Sequence, residues 1–201
     1  MKTAIRCALF AAALFLVTAC GYHNPYVYDG PDKTIYMSEW KNRSNQLEIN
    51  TRLYQSLVRW FQKSGSLHVS AEKLGADLIL AGEIKSIYFP SRSYISSNIA
   101  IEGRMHLTVR YILKDLQSDV VLLEEPNYVF SENYLISSAN PSVTRDNEDS
   151  ALSQAIEDLA QRIYQRCLAE IPKLEAKRQA QAQGRKQPEV QDKQRPAAHD
   201  Q

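Results

Sequence analysis

The sequence predicts an α+β fold: a two-layer sandwich with two helices on one face of a mostly antiparallel sheet of about four strands. Three observations carry that expectation. Residues 98–114 alternate strictly, with Ile99, Ile101, Met105, Leu107, Val109, Tyr111 and Leu113 on one side. The other side holds Asn98, Glu102, Arg104, His106, Thr108, Arg110 and Lys114, with Ala100 and Ile112 as the apolar exceptions. A period of two over that length makes a strand with one face in a core and one in water. Two further stretches, 46–64 and 147–171, repeat apolar residues at helical spacing instead.

The elements follow in order. Residues 33–40 carry Ile35, Tyr36 and Met37 and read as the first strand. Asn45 followed by Glu48 resembles a capping box, which starts a first helix over 46–64. Its apolar positions are Leu47, Leu53, Tyr54, Leu57, Val58 and Phe61, and Gly65 fits a left-handed helix end. The run from Gly75 through Leu78, Leu80 and Ile84 to Phe89 is a second strand, buried on both sides at its start. A serine-rich connection, 91–97, leads to the long strand. A turn at 115–119 and a return over 120–130 make an antiparallel hairpin, in which Pro126 marks an edge position or a bulge. A loop over 131–146 precedes the second helix, capped by Asp146 or Asn147 and carrying Leu152, Ile156, Leu159, Ile163 and Ile171. Pro172 is the expected stop.

The two ends of the chain differ from this middle. Lys2 and Arg6 precede a short apolar run, too short for a spanning helix, and small residues then lead into Cys20. Residues 1–19 are read as a signal peptide and 20–32, rich in Gly, Pro, Asn and Asp, as a tether. From residue 173 onward apolar residues almost vanish, so 173–201 is read as a disordered polar tail. It holds seven basic and four acidic residues. The folded domain is 33–172.

Composition excludes several functions. Losing Lys2 and Arg6 takes the formal charge from +1 to near −1, so nothing favours nucleic acid as a partner. His23, His68, His106 and His199 are scattered, and no pair stands at metal-ligand spacing. Of three cysteines, Cys7 leaves with the leader and Cys167 stands alone at helical spacing from Ile163 and Ile171. No nucleophile elbow or phosphate-cradling glycine loop is present, so no catalytic residue, metal or cofactor is expected.

The stretch Leu16-Val17-Thr18-Ala19-Cys20 resembles the lipobox of bacterial lipoproteins. That resemblance implies cleavage before Cys20, a lipid on its thiol, and anchorage by several acyl chains, which hold stably where one chain holds weakly. Gly21, in place of the aspartate that commonly retains such proteins at the inner membrane, points to the outer membrane.

A wider resemblance covers 20–171. Cys20-Gly21-Tyr22-His23, the strand beginning at Ile35, and the helix after Asn42-Arg43-Ser44 carry it. So do Gly75-Ala76-Asp77-Leu78-Ile79-Leu80 with Gly82 and Ile84, and a closing helix from Glu148. Together these residues resemble the LPS-assembly lipoprotein family (LptE), the partner of the outer-membrane lipopolysaccharide-export β-barrel. The resemblance implies a non-catalytic protein on the periplasmic side of the outer membrane. It implies a plug that fills the barrel lumen, assists its assembly and binds lipopolysaccharide for delivery to the outer leaflet. Lys85, Arg92, Arg104 and Arg110, around the second and third strands, are the candidates for its phosphates. A solvated strand face explains the same residues. A binding or assembly component of a different secretion or cell-wall complex is the other class of function.

Overall fold

The computed structural model describes residues 27–94 and 100–185, with side chains described for 27–90 and 101–180. Cys20, the leader, most of the tether and 186–201 lie outside the described residues. The elements are β1 (Lys33–Met37), β2 (Lys41–Asn42), α1 (Ile49–Phe61), β3 (Leu67–Ser70), β4 (Leu78–Tyr88), β5 (Ser91–Tyr94), β6 (Ala100–Asp115), β7 (Val121–Leu135) and α2 (Pro141–Arg185).

One seven-stranded sheet runs β3-β1-β4-β6-β5, with β2 also on β4 and β7 also on β6. The α+β class holds, but the sheet is mixed and larger than the four mostly antiparallel strands expected. β1 pairs parallel with both β3 and β4, whereas β4–β6, β5–β6 and β6–β7 are antiparallel. Parallel neighbours need a long crossover, and the segment from β1 through α1 to β3 supplies it. β2, β3 and β5 are too short to show a period.

β6 has partner strands on both sides and obeys its alternation. Met105, Leu107, Val109, Tyr111 and Leu113 are buried in one cluster with Leu53 and Leu57 of α1 and Leu159, Ile163 and Cys167 of α2. Both helices therefore cover the same face, and the opposite face is left without a helix layer. Ile101, expected in the core, is 40% exposed near the start of the strand. Opposite Arg110 the β7 register skips between Tyr128 and Glu125, so Pro126 sits in a bulge of an edge strand, as its missing N–H requires.

Helix ends differ from the sequence expectation. α1 begins at Ile49, with Glu48 left-handed at φ 60° and making no side-chain cap. The preceding turn is organised by Asn42 instead. Its Oδ1 accepts from Ser44 N and Oγ at 2.9 and 2.7 Å, and its Nδ2 donates to Gln46 O at 2.7 Å. Leu47 consequently points to solvent, 88% exposed. At the other end Gln62 is right-handed, and Lys63 and Ser64 donate three residues back, closing the helix without a left-handed Gly65. The left-handed glycine is Gly75, at φ 82°.

α2 starts earlier and ends later than expected. β7 continues to Leu135, which shortens the loop, and Asn140 caps the helix by accepting from Ser142 N at 3.1 Å. Pro141 fits the first turn, where its missing N–H costs nothing. Pro172 lies inside the helix rather than ending it. The chain beyond it is docked: Leu174 is buried, Glu175 meets Lys33 at 2.7 Å, and Arg178 meets Asp115 at 2.5 Å. Residues 173–185 are thus helix and not disordered tail, and the folded domain reaches past 172. At the other boundary Tyr28, placed in the tether by sequence, is 4% exposed and donates from its backbone to Ser64 Oγ at 3.0 Å.

Candidate functional site

The open face of the sheet carries three of the four basic candidates. Arg104 and Arg110 are on β6, and alternation points both away from the helices, since Met105 and Val109 beside them are fully buried. Lys85 reaches the same face by a bulge: Ile84 pairs with Val109 and Ser86 with Thr108, which leaves Lys85 without a partner in the register. Its Nζ donates across β6 to Asn127 Oδ1, in the β7 bulge. Two bulges therefore flank Val109–Arg110, one on each neighbouring strand.

Acids interleave with these cations. Arg110 meets Glu124 at 3.3 Å, and Arg43 meets Glu83 at 3.1 Å. Lys41, Glu83, Arg110 and Ile112 surround a dimple of about 170 Å³ whose floor is Ala81 and Gly82. On the helix-covered side of the same strand Gly82 permits a close approach: a Cβ would stand 2.7 Å from the buried Trp40 ring and 2.8 Å from Arg110 O. Lys41 and Arg43 belong to this patch and were not among the sequence candidates. A strand of two residues has no period by which to assign its face.

Arg104 stands apart, six residues along the strand and so about 20 Å from Arg110. It is half-buried, and its Nε is buried with no hydrogen-bond partner among the described residues. Arg92 lies on β5, between the pairs Ser91–Gly103 and Ser93–Glu102, so its backbone is beside Arg104's strand; its side chain lies outside the described residues. The fold brings Lys85 and Arg110 together and leaves Arg104 and Arg92 as a second group.

His106 Nδ1 is 2.7 Å from Ser131 Oγ on the adjoining strand, and no carboxylate completes a triad with them among the described residues. Cys167 is fully buried, and burial pushes its thiol far above the ordinary range, which leaves it protonated and unreactive. Among the described residues no cluster of three or more His, Cys, Asp or Glu is placed to hold a metal. No described helix is long and apolar enough to cross a membrane.

The family model for lipopolysaccharide assembly matches residues 33–167. The chain belongs to the lipopolysaccharide-assembly (LptE) family. That family is one of non-enzymatic lipoproteins of the Gram-negative envelope. Solved structures share the fold of this LptE-family chain. The rare lipoprotein B from Shewanella oneidensis is 13% identical, with a TM-score of 0.51, over 71% of this chain and 98% of that one. An uncharacterized lipoprotein B from Nitrosomonas europaea is 16% identical, with a TM-score of 0.50, over 69% and 84%. At these identities the likeness concerns the fold alone. No curated protein matches the chain. The family match ends at Cys167, and α2 of this LptE-family member continues to Arg185.

Proposed function

We propose that this chain is anchored through lipid on Cys20 to the periplasmic side of the outer membrane. There it fills the lumen of the lipopolysaccharide-export β-barrel, assists its assembly and binds lipopolysaccharide for delivery to the outer leaflet. Membership of the LptE family supports the role. The observation that carries the binding half is Arg104: a half-buried guanidinium on the helix-free face whose buried Nε has no partner among the described residues. A guanidinium with no partner among the described residues is a donor to which phosphate oxygens bond with charge assistance. Lys85 and Arg110 already engage Asn127 and Glu124, so each must exchange a partner to meet a ligand.

The test changes Lys85, Arg92, Arg104 and Arg110 to alanine, singly and together, and measures binding of the purified protein to lipopolysaccharide. Circular dichroism first establishes that each variant is folded. Charge-assisted contacts contribute about 1.5–3 kcal/mol each, so the loss of two should weaken binding more than tenfold. Arg104→Ala should be the most damaging single change. A folded quadruple variant that binds like the parent reduces the face to solvated surface. For the anchor, Cys20→Ala should leave uncleaved or soluble protein; membrane retention at the mature mass would overturn lipidation.

A further inference from the structure

No described strand pairs with β7 on the side away from β6. Ile136 N donates to Ile101 O at 3.0 Å, and the register runs without a shift from Glu102–Leu135 to Val109–Tyr128. Residues of an antiparallel pair alternate between exchanging hydrogen bonds and facing away. Tyr128, Phe130, Glu132 and Tyr134 therefore spend their backbone groups on β6. Val129, Ser131 and Asn133 turn N–H and C=O outward, and these groups have no partner among the described residues. At Leu135 the outward carbonyl is taken by Asn147 Nδ2 of α2, at 2.9 Å.

Water can solvate an edge, but soluble proteins keep bare edges short, bulged, charged or interrupted by proline. β3, at the other margin, has four residues, and the first half of β7 carries the Pro126 bulge with Glu124 and Glu125. The second half has none of these devices. Residues 128–135, Tyr-Val-Phe-Ser-Glu-Asn-Tyr-Leu, hold no proline, a single charge and several strong strand formers. Val129 and Leu135 pair with Thr108 and Glu102 on the helix-free face and are 52% and 69% exposed. Left uncovered, such a segment is an aggregation hazard.

We propose that this edge takes up one extended strand from another polypeptide. An added strand supplies donors and acceptors at the spacing the edge presents. A second copy of this chain does not fit. α2 runs along β7: Asn147 is bonded at Leu135, Arg162 lies 5.3 Å from the Phe130 ring, and Arg166 lies 5.4 Å from the Tyr128 ring. A copy joined edge to edge would bring its own α2 within about 5 Å, one strand spacing, where packed helices stand about 8–10 Å apart. The occupant is thus a strand with no helix layer at that margin. Charge narrows it further. Ser153 and Glu157 face α1, and at about 100° per residue Arg162 falls on the opposite flank of α2, beside the free edge. Arg162 is exposed and makes no ion pair with a described residue. The added residue next to Phe130 lies beneath it, so an aspartate or glutamate belongs there, with apolar residues next to Val129 on the other face. None of the four basic candidates takes part, and this reading stands apart from phosphate binding.

The test follows backbone amide exchange by NMR in the full chain in detergent micelles. The probes are the end-capped peptide Val-Thr-Val-Asp-Val-Thr-Val and its twin with a central lysine, each at millimolar concentration. In the free protein the amides of Val129, Ser131 and Asn133 should exchange fast, and those of Phe130 and Glu132 slowly. The aspartate peptide should slow the first three about tenfold, and the lysine twin should bind about tenfold more weakly. Val129→Pro removes an outward N–H and leaves the ladder to β6 intact, so it should abolish protection of Ser131 and Asn133 while Phe130 and Glu132 stay slow. Where that variant fails to fold, Arg162→Glu, at an exposed position, should make the lysine peptide the better ligand. Slow exchange at Ser131 and Asn133 in the free monomer, or no protection by either peptide, overturns the proposal. A dimer in sedimentation that Val129→Pro dissociates would assign the edge to a second copy and overturn it equally. Equal protection by both peptides would overturn the acidic requirement and support strand addition by backbone alone.

Discussion

The guanidinium of Arg178 lies 2.5 Å from the carboxylate of Asp115, a residue with no solvent exposure at all. Asp115 ends β6, and the same Oδ2 accepts from Ser118 N at 2.8 Å, closing the turn of the long hairpin. The helix beyond Pro172 therefore neutralises a charge that the hairpin has buried. Removal of one partner from a buried pair strands the other, at a cost of about 3–5 kcal/mol. Arg178 retains 29% exposure, which places Arg178→Ala near the lower figure. Urea denaturation should show that loss for Arg178→Ala. Truncation after residue 172 should cost at least as much, because it also removes Leu174 and the Glu175 pair to Lys33. A truncated chain as stable as the parent would make the docked extension energetically irrelevant.

A pH dependence follows from Glu157 on α2. Its own partial burial raises the carboxyl pKa, but hydrogen bonds from Ser56, Arg59 and Trp60 of α1 outweigh that and hold it below its ordinary value of 4.5. The distances are 2.6, 2.9 and 2.8 Å. A carboxyl lowered in the folded state contributes stability that is fully present above its unfolded value and lost as pH falls through the folded one. The contact between the helices should therefore weaken in acid below about pH 4.5. Glu157→Gln should flatten that part of the stability profile, measured by thermal unfolding across pH.

The long strand and the core stripes of both helices were legible because their periods run through many residues. Leu107 and Leu159 could be assigned a face by counting alone. The ends of elements were not legible, since single competing contacts decide them. Asn42 holds the turn that displaces the Asn45 and Glu48 cap. Lys33 and Asp115, distant in sequence, are what keep the polar residues after Pro172 helical. The charged face was half legible. Alternation put Arg104 and Arg110 on the open side, but it carried no information on their separation along β6 or on Lys41 and Arg43 from a two-residue strand.

Leu57→Ala and Leu107→Ala should each cost about 2–5 kcal/mol, because both side chains are fully buried in the common core. Thr108→Ala, half-buried on the other face of β6, should cost far less. Chemical denaturation of the three variants checks the facing of the strand directly, and equal small losses would contradict it.

Gly82→Ala tests the close approach under the dimple. The new Cβ would press on the Trp40 ring at 2.7 Å and on Arg110 O at 2.8 Å, and backbone cannot step aside as a side-chain tip can. Overpacking of this kind costs about 1–3 kcal/mol. The loss should appear in the denaturation midpoint, and Trp40 fluorescence should shift with it.

Cys167 should resist thiol reagents in the native protein and react only on unfolding, given its full burial and raised pKa. Ellman titration with and without denaturant measures the difference. Rapid native labelling would mean that α2 opens at its centre.

The Lys33–Glu175 contact joins the first residue of β1 to the late part of α2, so both ends of the described fold emerge at one pole. A fluorescent label on Lys177, exposed on α2 two residues after Glu175, would mark that pole. A reporter for the other pole belongs in the turn at 136–140, between β7 and α2, where Ser138, Ala139 and Asn140 are exposed. Paired labels at the two positions would give a ruler along the molecule, about 50 Å by the length of β6, for measuring how deeply each pole enters a partner.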